Sequence, residues 1–250
     1  PKQAGAFWYH SHLSSQYCDG LRGAFIVYDP QDPHKALYDV DNESTIITLS
    51  DWYHEPARSS EGLPLTAQST LINGKGRYIN GPASPLAVIN VTKGKRYRFR
   101  IIAMSCDPAF TFAVDNHTLT VIEADGENTA PLVVDSLQIF AGQRYSATIG
   151  FVRTPISEPS LASMAVGISA ILRYASAPVA DPTTSYVTTN PLREVNLHAL
   201  TNPAAPGLPF IGGADVVLNI AHSFDFNTFH YTMGGYAFIP PTVPVLQSSA

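Results

Sequence analysis

Two histidines separated by a single residue, His10-Ser11-His12, are the groups in this sequence best spaced to do chemistry together. Side chains alternate along an extended backbone, so a strand over residues 7–13 aims both imidazoles to the same side. A neutral imidazole is a good donor to copper or zinc, and the neighbours Phe7, Trp8, Tyr9 and Leu13 would give the pair a partly dry setting. Two nitrogens make only part of a coordination shell, however, and a bare His-x-His pair is also what two ordinary strand histidines look like. The other six histidines, His34, His54, His117, His198, His222 and His230, stand singly without ligand-like spacing and read as surface or core residues.

Two further groups carry chemistry. Cys18 and Cys106 are an even pair that an oxidising compartment joins and a reducing one leaves as two thiols, and composition leaves both readings open. Joined, they would close a long loop worth roughly 4.5 kcal/mol at most in the chain-entropy model. Asp107 precedes a proline, as do Asp29, Asp32 and Asp181, and Asp-Pro is a common turn opener. A carboxylate beside a bound molecule would instead accept a hydrogen bond from it and take its proton.

The elements that must position these groups read as strands. Seventeen glycines and 20 prolines in 250 residues, with 45% hydrophobic and 14% charged, describe a turn-rich all-β chain. Apolar or alternating runs at 24–28, 44–52, 86–91, 97–104, 110–114, 119–124, 137–140, 145–151 and 168–174 are separated by turn signals, the spacing of a β-sandwich. In Tyr97-Arg98-Phe99-Arg100-Ile101 the alternation predicts aromatic and aliphatic side chains inward and arginines outward. Thr92-Lys93-Gly94-Lys95 and Asp125-Gly126-Glu127-Asn128 read as turns. Breaker-rich stretches at 177–184 and 201–207 bound a new unit near residue 200, with a strand expected at 215–220.

Composition also excludes classes. A formal net charge of −5 without a basic run argues against nucleic acid as a partner. The most apolar stretch, 161–172, is well short of the ~20 residues a helix needs to span a membrane. The opening Pro1-Lys2-Gln3-Ala4 shows neither initiator Met nor leader, as in a processed or truncated polypeptide. Sequons at Asn42, Asn90 and Asn116 are compatible with a secreted glycoprotein.

Taken whole, Trp8-Tyr9-His10-Ser11-His12-Leu13 followed by Gln16-Tyr17-Cys18-Asp19-Gly20-Leu21-Arg22-Gly23 resembles the second copper-ligand motif of laccases, the multicopper oxidases. Asp51-Trp52-Tyr53-His54, Thr70-Leu71-Ile72-Asn73-Gly74 and Ser105-Cys106-Asp107-Pro108 extend the likeness over nearly the whole length. The resemblance implies cupredoxin-like Greek-key β-sandwich domains: 1–32 the end of a first, 33–198 a whole second and 199–250 the start of a third. It implies copper as cofactor, with His10 and His12 each on one copper of a type 3 pair. It also implies a Cys18–Cys106 disulfide, Asp107 docking the substrate, and Leu63 and Leu65 lining an apolar substrate pocket.

The implied activity is one-electron oxidation of phenols or aromatic amines coupled to reduction of dioxygen to water, by a secreted enzyme that is monomeric at full length. Only one of the four histidine motifs such an enzyme needs is present, and neither cysteine lies in a His-Cys-His string, so type 1 and type 2 ligands are absent and the 250 residues alone should be inactive. Two rivals share these features: a non-enzymatic cupredoxin-like secreted module whose histidine pair is a relic, and an ascorbate-oxidase-like enzyme that differs in its pocket.

Overall fold

The computed structural model describes residues 3–57, 67–78, 81–107, 109–150, 170–181, 187–202, 204, 207–208, 210–228, 230–239 and 243. They fall into two compact units that divide at about residue 203. Helical structure among the described residues is limited to the 3-10 turns Lys35–Leu37, Glu43–Thr45 and Glu194–Asn196 and to Ala57, also 3-10, and no helix is long and apolar enough to cross a membrane.

The first unit opens with an antiparallel hairpin, β1 (Gly5–His10) with β2 (Arg22–Val27). It continues with β3 (Ile46–Trp52), β4 (Ser69–Ile72), β5 (Val88–Val91), β6 (Arg96–Ala103), β7 (Phe110–Ala113), β8 (Leu119–Ala124), β9 (Glu127–Val134), β10 (Ser136–Ile139), β11 (Arg144–Gly150) and β12 (Ile171–Tyr174). Six of these form one sheet in the order β4-β3-β6-β11-β8-β9, while β12-β5 and β10-β7 make two further pairs. One core unites them: Tyr97, Phe99 and Ile101 of β6 and Tyr145, Ala147 and Ile149 of β11 pack with Ile89, Phe110, Phe112, Leu137 and Leu172. The alternation read in the sequence thus puts the expected side chains inward, and each fully buried phenylalanine contributes about 1.5–3 kcal/mol.

The arginines are not outward in the sense expected. Arg98 and Arg100 lie on the opposite face of β6 yet are 3% and 2% exposed, because the hairpin and the segment after it cover that face. Ala6 of β1 packs there on Ile102 and Met104. Two arginines buried this way need anions. Arg98 pairs with Asp32 and Glu123, and Arg100 pairs with Asp41 at 2.7 Å and Glu123 at 3.4 Å.

A β-bulge puts Glu123 within their reach. Val121 pairs with Ala147 and Glu123 with Ser146, so Ile122 is an extra residue in β8. Without it Glu123, two residues after the core residue Val121, would point into hydrocarbon; the bulge re-aims it.

Two edge strands are not visible in the sequence reading. Pro131 disguises β9, since proline breaks a ladder everywhere except at an edge, which is where β9 lies. β4 at the other edge has only four residues. The turn before β9 is tight: Asp125 and Gly126 both have positive φ (51° and 87°), and a Cβ on Gly126 would stand 2.8 Å from the Phe7 ring.

In the second unit β13 (His222–Asp225), β14 (His230–Met233) and β15 (Tyr236–Ala237) form an antiparallel meander. The strand expected at 215–220 is absent: that run forms no ladder among the described residues, and Val216, Val217, Leu218 and Ile220 are exposed. An apolar run becomes a strand only where a partner offers its backbone groups, and pairing starts two residues later.

Candidate metal centre

β1 ends at His10, earlier than the 7–13 strand expected, yet both imidazoles still share a side. The Ser11 amide donates to the Leu21 carbonyl at 3.1 Å, carrying the hairpin's pairing one residue past the assigned strand. The His10 and His12 ring centroids are 4.5 Å apart, and the Trp8 ring stacks on the other side of His10 at 4.1 Å. The chain then leaves the strand as the Ser11 hydroxyl accepts from the Leu13 amide and donates to Gln16, and Ser14 takes a positive φ of 49°.

The apolar setting is narrower than the sequence implies. Trp8 and Tyr17 enclose His10, with the Tyr17 ring 5.3 Å away, but Tyr9 and Leu13 are 60% and 68% exposed on other faces. His10 is half-buried and His12 exposed, in a cleft of about 290 Å³ lined also by Ser14, Ser105, Ala141 and Gly142.

The ring contacts decide which nitrogen is available. Nδ1 of His10 lies 3.1 Å from the Ser11 carbonyl oxygen, which only accepts, so the proton sits on Nδ1 and Nε2 keeps its lone pair for a ligand. Two imidazoles with an open cleft beside them fit a copper or zinc ion as part of its shell. Among the described residues no group of three or more His, Cys, Asp or Glu is arranged to hold a metal.

The remaining candidates sit as follows. Cys18 and Cys106 are bonded, tying the turn after His12 to the loop after β6. Asp107 is exposed, and its amide donates to Asp51 at 3.1 Å. Leu63 and Leu65 lie outside the described residues. Asn42, Asn90 and Asn116 are all exposed, and the Asn42 side chain also caps a 3-10 turn. His34 is buried, His117 bonds the Asp115 carbonyl and Tyr174, and His54 leans on Tyr78.

Asp51 is the residue whose importance the sequence reading misses. Fully buried, its carboxylate accepts from the Cys106 amide (2.9 and 3.0 Å), the Asp107 amide and the Tyr53 hydroxyl (2.7 Å). Arg22, opposite His10 in the hairpin, reaches the same carboxylate at 3.4 Å and also donates to the Met104 and Asp51 carbonyls. Tyr17 donates to the Cys106 carbonyl at 3.2 Å; burial first, then the charge of Asp51, pushes its phenol above the ordinary range. The conspicuous signal was an acid in an otherwise strand-like run, Leu49-Ser50-Asp51-Trp52.

The bridge is the first of these contacts open to test. Replacing Cys18 and Cys106 together by alanine should lower stability by about 2–4 kcal/mol, read in urea as a lower midpoint with a steeper slope, because the unlinked chain unfolds to a more open state. A loss under about 0.5 kcal/mol would show that Asp51 and Arg22 fix the loop without it.

Known proteins resemble this chain over nearly its whole length. Two family models described as "Multicopper oxidase" match, one over residues 43–157 and the other over residues 1–32, which holds the histidine pair. The chain is 58% identical to "Laccase-2" and 60% identical to "Laccase-1" of Pleurotus ostreatus, in each case over 98% of its own length and 48% of the relative's. It is 56% identical to "Laccase-2" of Trametes versicolor, of which it covers 49%. The chain therefore spans about half the length of the curated relatives it matches.

Among solved structures, a laccase from Botrytis aclada aligns with a TM-score of 0.68 at 30% identity, over 93% of this chain and 46% of that one. Fet3p, titled a multicopper oxidase that functions in iron import, aligns at 0.78 over 98% of this chain and 48% of that one; at 22% identity it speaks to the fold alone. Family models on both the imidazole hairpin and the sandwich, with relatives of the same family at more than half identity, lead to one conclusion: the chain belongs to the multicopper oxidase family.

Proposed function

We propose that this chain supplies part of a laccase-type oxidase, one that couples one-electron oxidation of phenols or aromatic amines to four-electron reduction of dioxygen to water. The side-by-side imidazoles of His10 and His12, with the His10 proton held by the Ser11 carbonyl, are the observation that carries the reading. Each ring is assigned to one copper of a type 3 pair. Bound copper supplies the electron-transfer chemistry, and the residues here hold, orient and insulate.

Trp8 and Tyr17 fix the His10 ring and shield one side of it. Asp107 is assigned to the phenol: exposed at the end of a clamped loop, it accepts the hydroxyl hydrogen bond and takes the proton as the electron departs. Leu63 and Leu65 are proposed as apolar wall of that pocket. Residues 1–32, 33–198 and 199–250 are read as the end, the whole and the start of three successive cupredoxin-like domains. The disulfide supports a secreted protein, since such bonds persist in oxidising compartments.

Splicing these 250 residues into Laccase-2 of Pleurotus ostreatus in place of its matching half tests the assignment. The chimera is expected to take up dioxygen in the presence of a phenol with copper bound. The isolated chain, whose cysteines are both bonded, is expected to show neither a blue thiolate band nor phenol turnover. A folded, copper-replete chimera inert toward phenols and aromatic amines would overturn the reading, as would turnover by the isolated chain.

A further inference from the structure

We propose that Asp51 is a positioning residue that sets the substrate-docking loop against the imidazole pair. The inference rests on the assignment of Asp107 above. The loop leaving β6 carries Asp107 but has few restraints of its own: Met104, Ser105, Cys106 and Asp107 form no strand. Its restraints come from neighbouring segments: the Met104 amide donates to the Leu49 carbonyl, Cys106 is bonded to Cys18 and accepts from Tyr17, and the Cys106 and Asp107 amides both meet Asp51.

The Asp51 carboxylate takes the two successive amides of Cys106 and Asp107, a fork that fixes the direction of the peptide from which the Asp107 side chain emerges. Tyr53 occupies a further lone pair of the same carboxylate. Arg22 then joins Asp51 to the hairpin at the position paired with His10. Arg22 faces His10 across the hairpin, and from Arg22 through Asp51 to the Asp107 amide the contacts are polar and unbroken. At 4% and 0% side-chain exposure, Arg22 and Asp51 are sheltered from the water that would loosen it.

The consequence is specific to substrates that give up a proton. A phenol needs its hydroxyl within hydrogen-bond reach of a base, and small displacements of a docking carboxylate carry large kinetic costs. A donor without an acidic proton has no such need. Asp51→Asn keeps the side-chain volume but presents an NH2 to a set of donors, so the fork on the loop is broken on one side.

The test uses the chimera with Laccase-2 of Pleurotus ostreatus and compares kcat/KM for 2,6-dimethoxyphenol with kcat/KM for hexacyanoferrate(II). Asp107→Asn serves as the reference. Both variants are expected to lower the phenol-to-hexacyanoferrate ratio, Asp51→Asn by at least tenfold at unchanged copper content, with the phenol loss concentrated in KM. If Asp107→Asn leaves the ratio unchanged, the assignment of Asp107 fails. If Asp107→Asn lowers it but Asp51→Asn slows both donors alike or neither, Asp107 stands and the role of Asp51 is overturned. Should Asp51→Asn fail to fold, Tyr53→Phe decides: it leaves the carboxylate in place but removes one of its anchors, and a phenol-selective fall of about threefold is expected, no selective change refuting the proposal.

Discussion

Alanine at His10 or at His12 is expected to cost the chimera its oxidase activity by at least about 100-fold, with fewer coppers per chain. Loss of a group that merely orients a ligand already lowers metal affinity or activity by 10–100-fold, and these rings are assigned as the ligands themselves. The isolated chain offers a second readout. Trp8 stacks on His10 at 4.1 Å, so Cu(II) at that imidazole should quench its fluorescence. The sequence has only two tryptophans, and a Trp52→Phe background leaves Trp8 as the sole reporter. Titration with Cu(II) should then quench the native pair and leave the His10→Ala signal nearly unchanged. His12→Ala separates a shared site from two independent ones: weaker quenching shows that the second ring contributes to holding the ion. Equal quenching in all three proteins would place the metal elsewhere and remove the basis for the proposed oxidase.

How much of this was legible in the sequence depends on where the partners of each residue lie. The imidazole pair is visible because its geometry is local: spacing alone sets the side of the strand, and it survives even though β1 stops at His10. The same holds for the inward side chains of β6, whose alternation needs no knowledge of the rest of the chain. Arg98 and Arg100 show the limit. Period-2 patterning tells which face they occupy but not what covers that face, and the cover comes from residues far earlier in the sequence. Asp51 fails to stand out for a similar reason, since all the groups that it holds except Tyr53 are distant in sequence. The bulge at Ile122 is invisible because Leu119-Thr120-Val121-Ile122-Glu123 contains neither glycine nor proline to mark it. The missing strand at 215–220 is the converse error, an apolar composition read as pairing without a partner to pair with.

Those distant partners make Glu123 the residue on which stability should depend most sharply. Its carboxylate takes Arg98 at 2.5 Å, the Ser146 hydroxyl at 2.6 Å, the Ala6 amide at 2.7 Å and, more weakly, Arg100 at 3.4 Å. Glu123→Ala leaves both arginines buried with one fewer anion, for which a loss of about 3–5 kcal/mol is expected, a large share of the ~5–15 kcal/mol of a typical domain. The Ala6 contact ties the hairpin bearing His10 to the sandwich, so amide exchange in β1 should rise before that in β6. Acid should act on the same network. Burial alone pushes the Glu123 carboxyl up, but Arg98, Ser146, Ala6 and Arg100 together hold it below its ordinary 4.5. Asp32 is likewise lowered, its burial outweighed by Tyr38, the His34 amide and Arg98, while burial depresses His34 below 6.5 against the pull of Asp32. All three bind protons less readily folded than unfolded. Their contribution is therefore complete above the unfolded values and lost as pH falls, for His34 from about 6.5 downward, for Glu123 from about 4.5 and for Asp32 from about 3.8. Urea unfolding at pH 7 and pH 4 should show a smaller acid-induced loss in Glu123→Ala than in the native chain, because one of the three titrating groups is gone. A difference between native and variant below about 1 kcal/mol at pH 7, or an identical acid-induced loss in both, would mean that the arginines find other anions and that Glu123 does not hold the hairpin down.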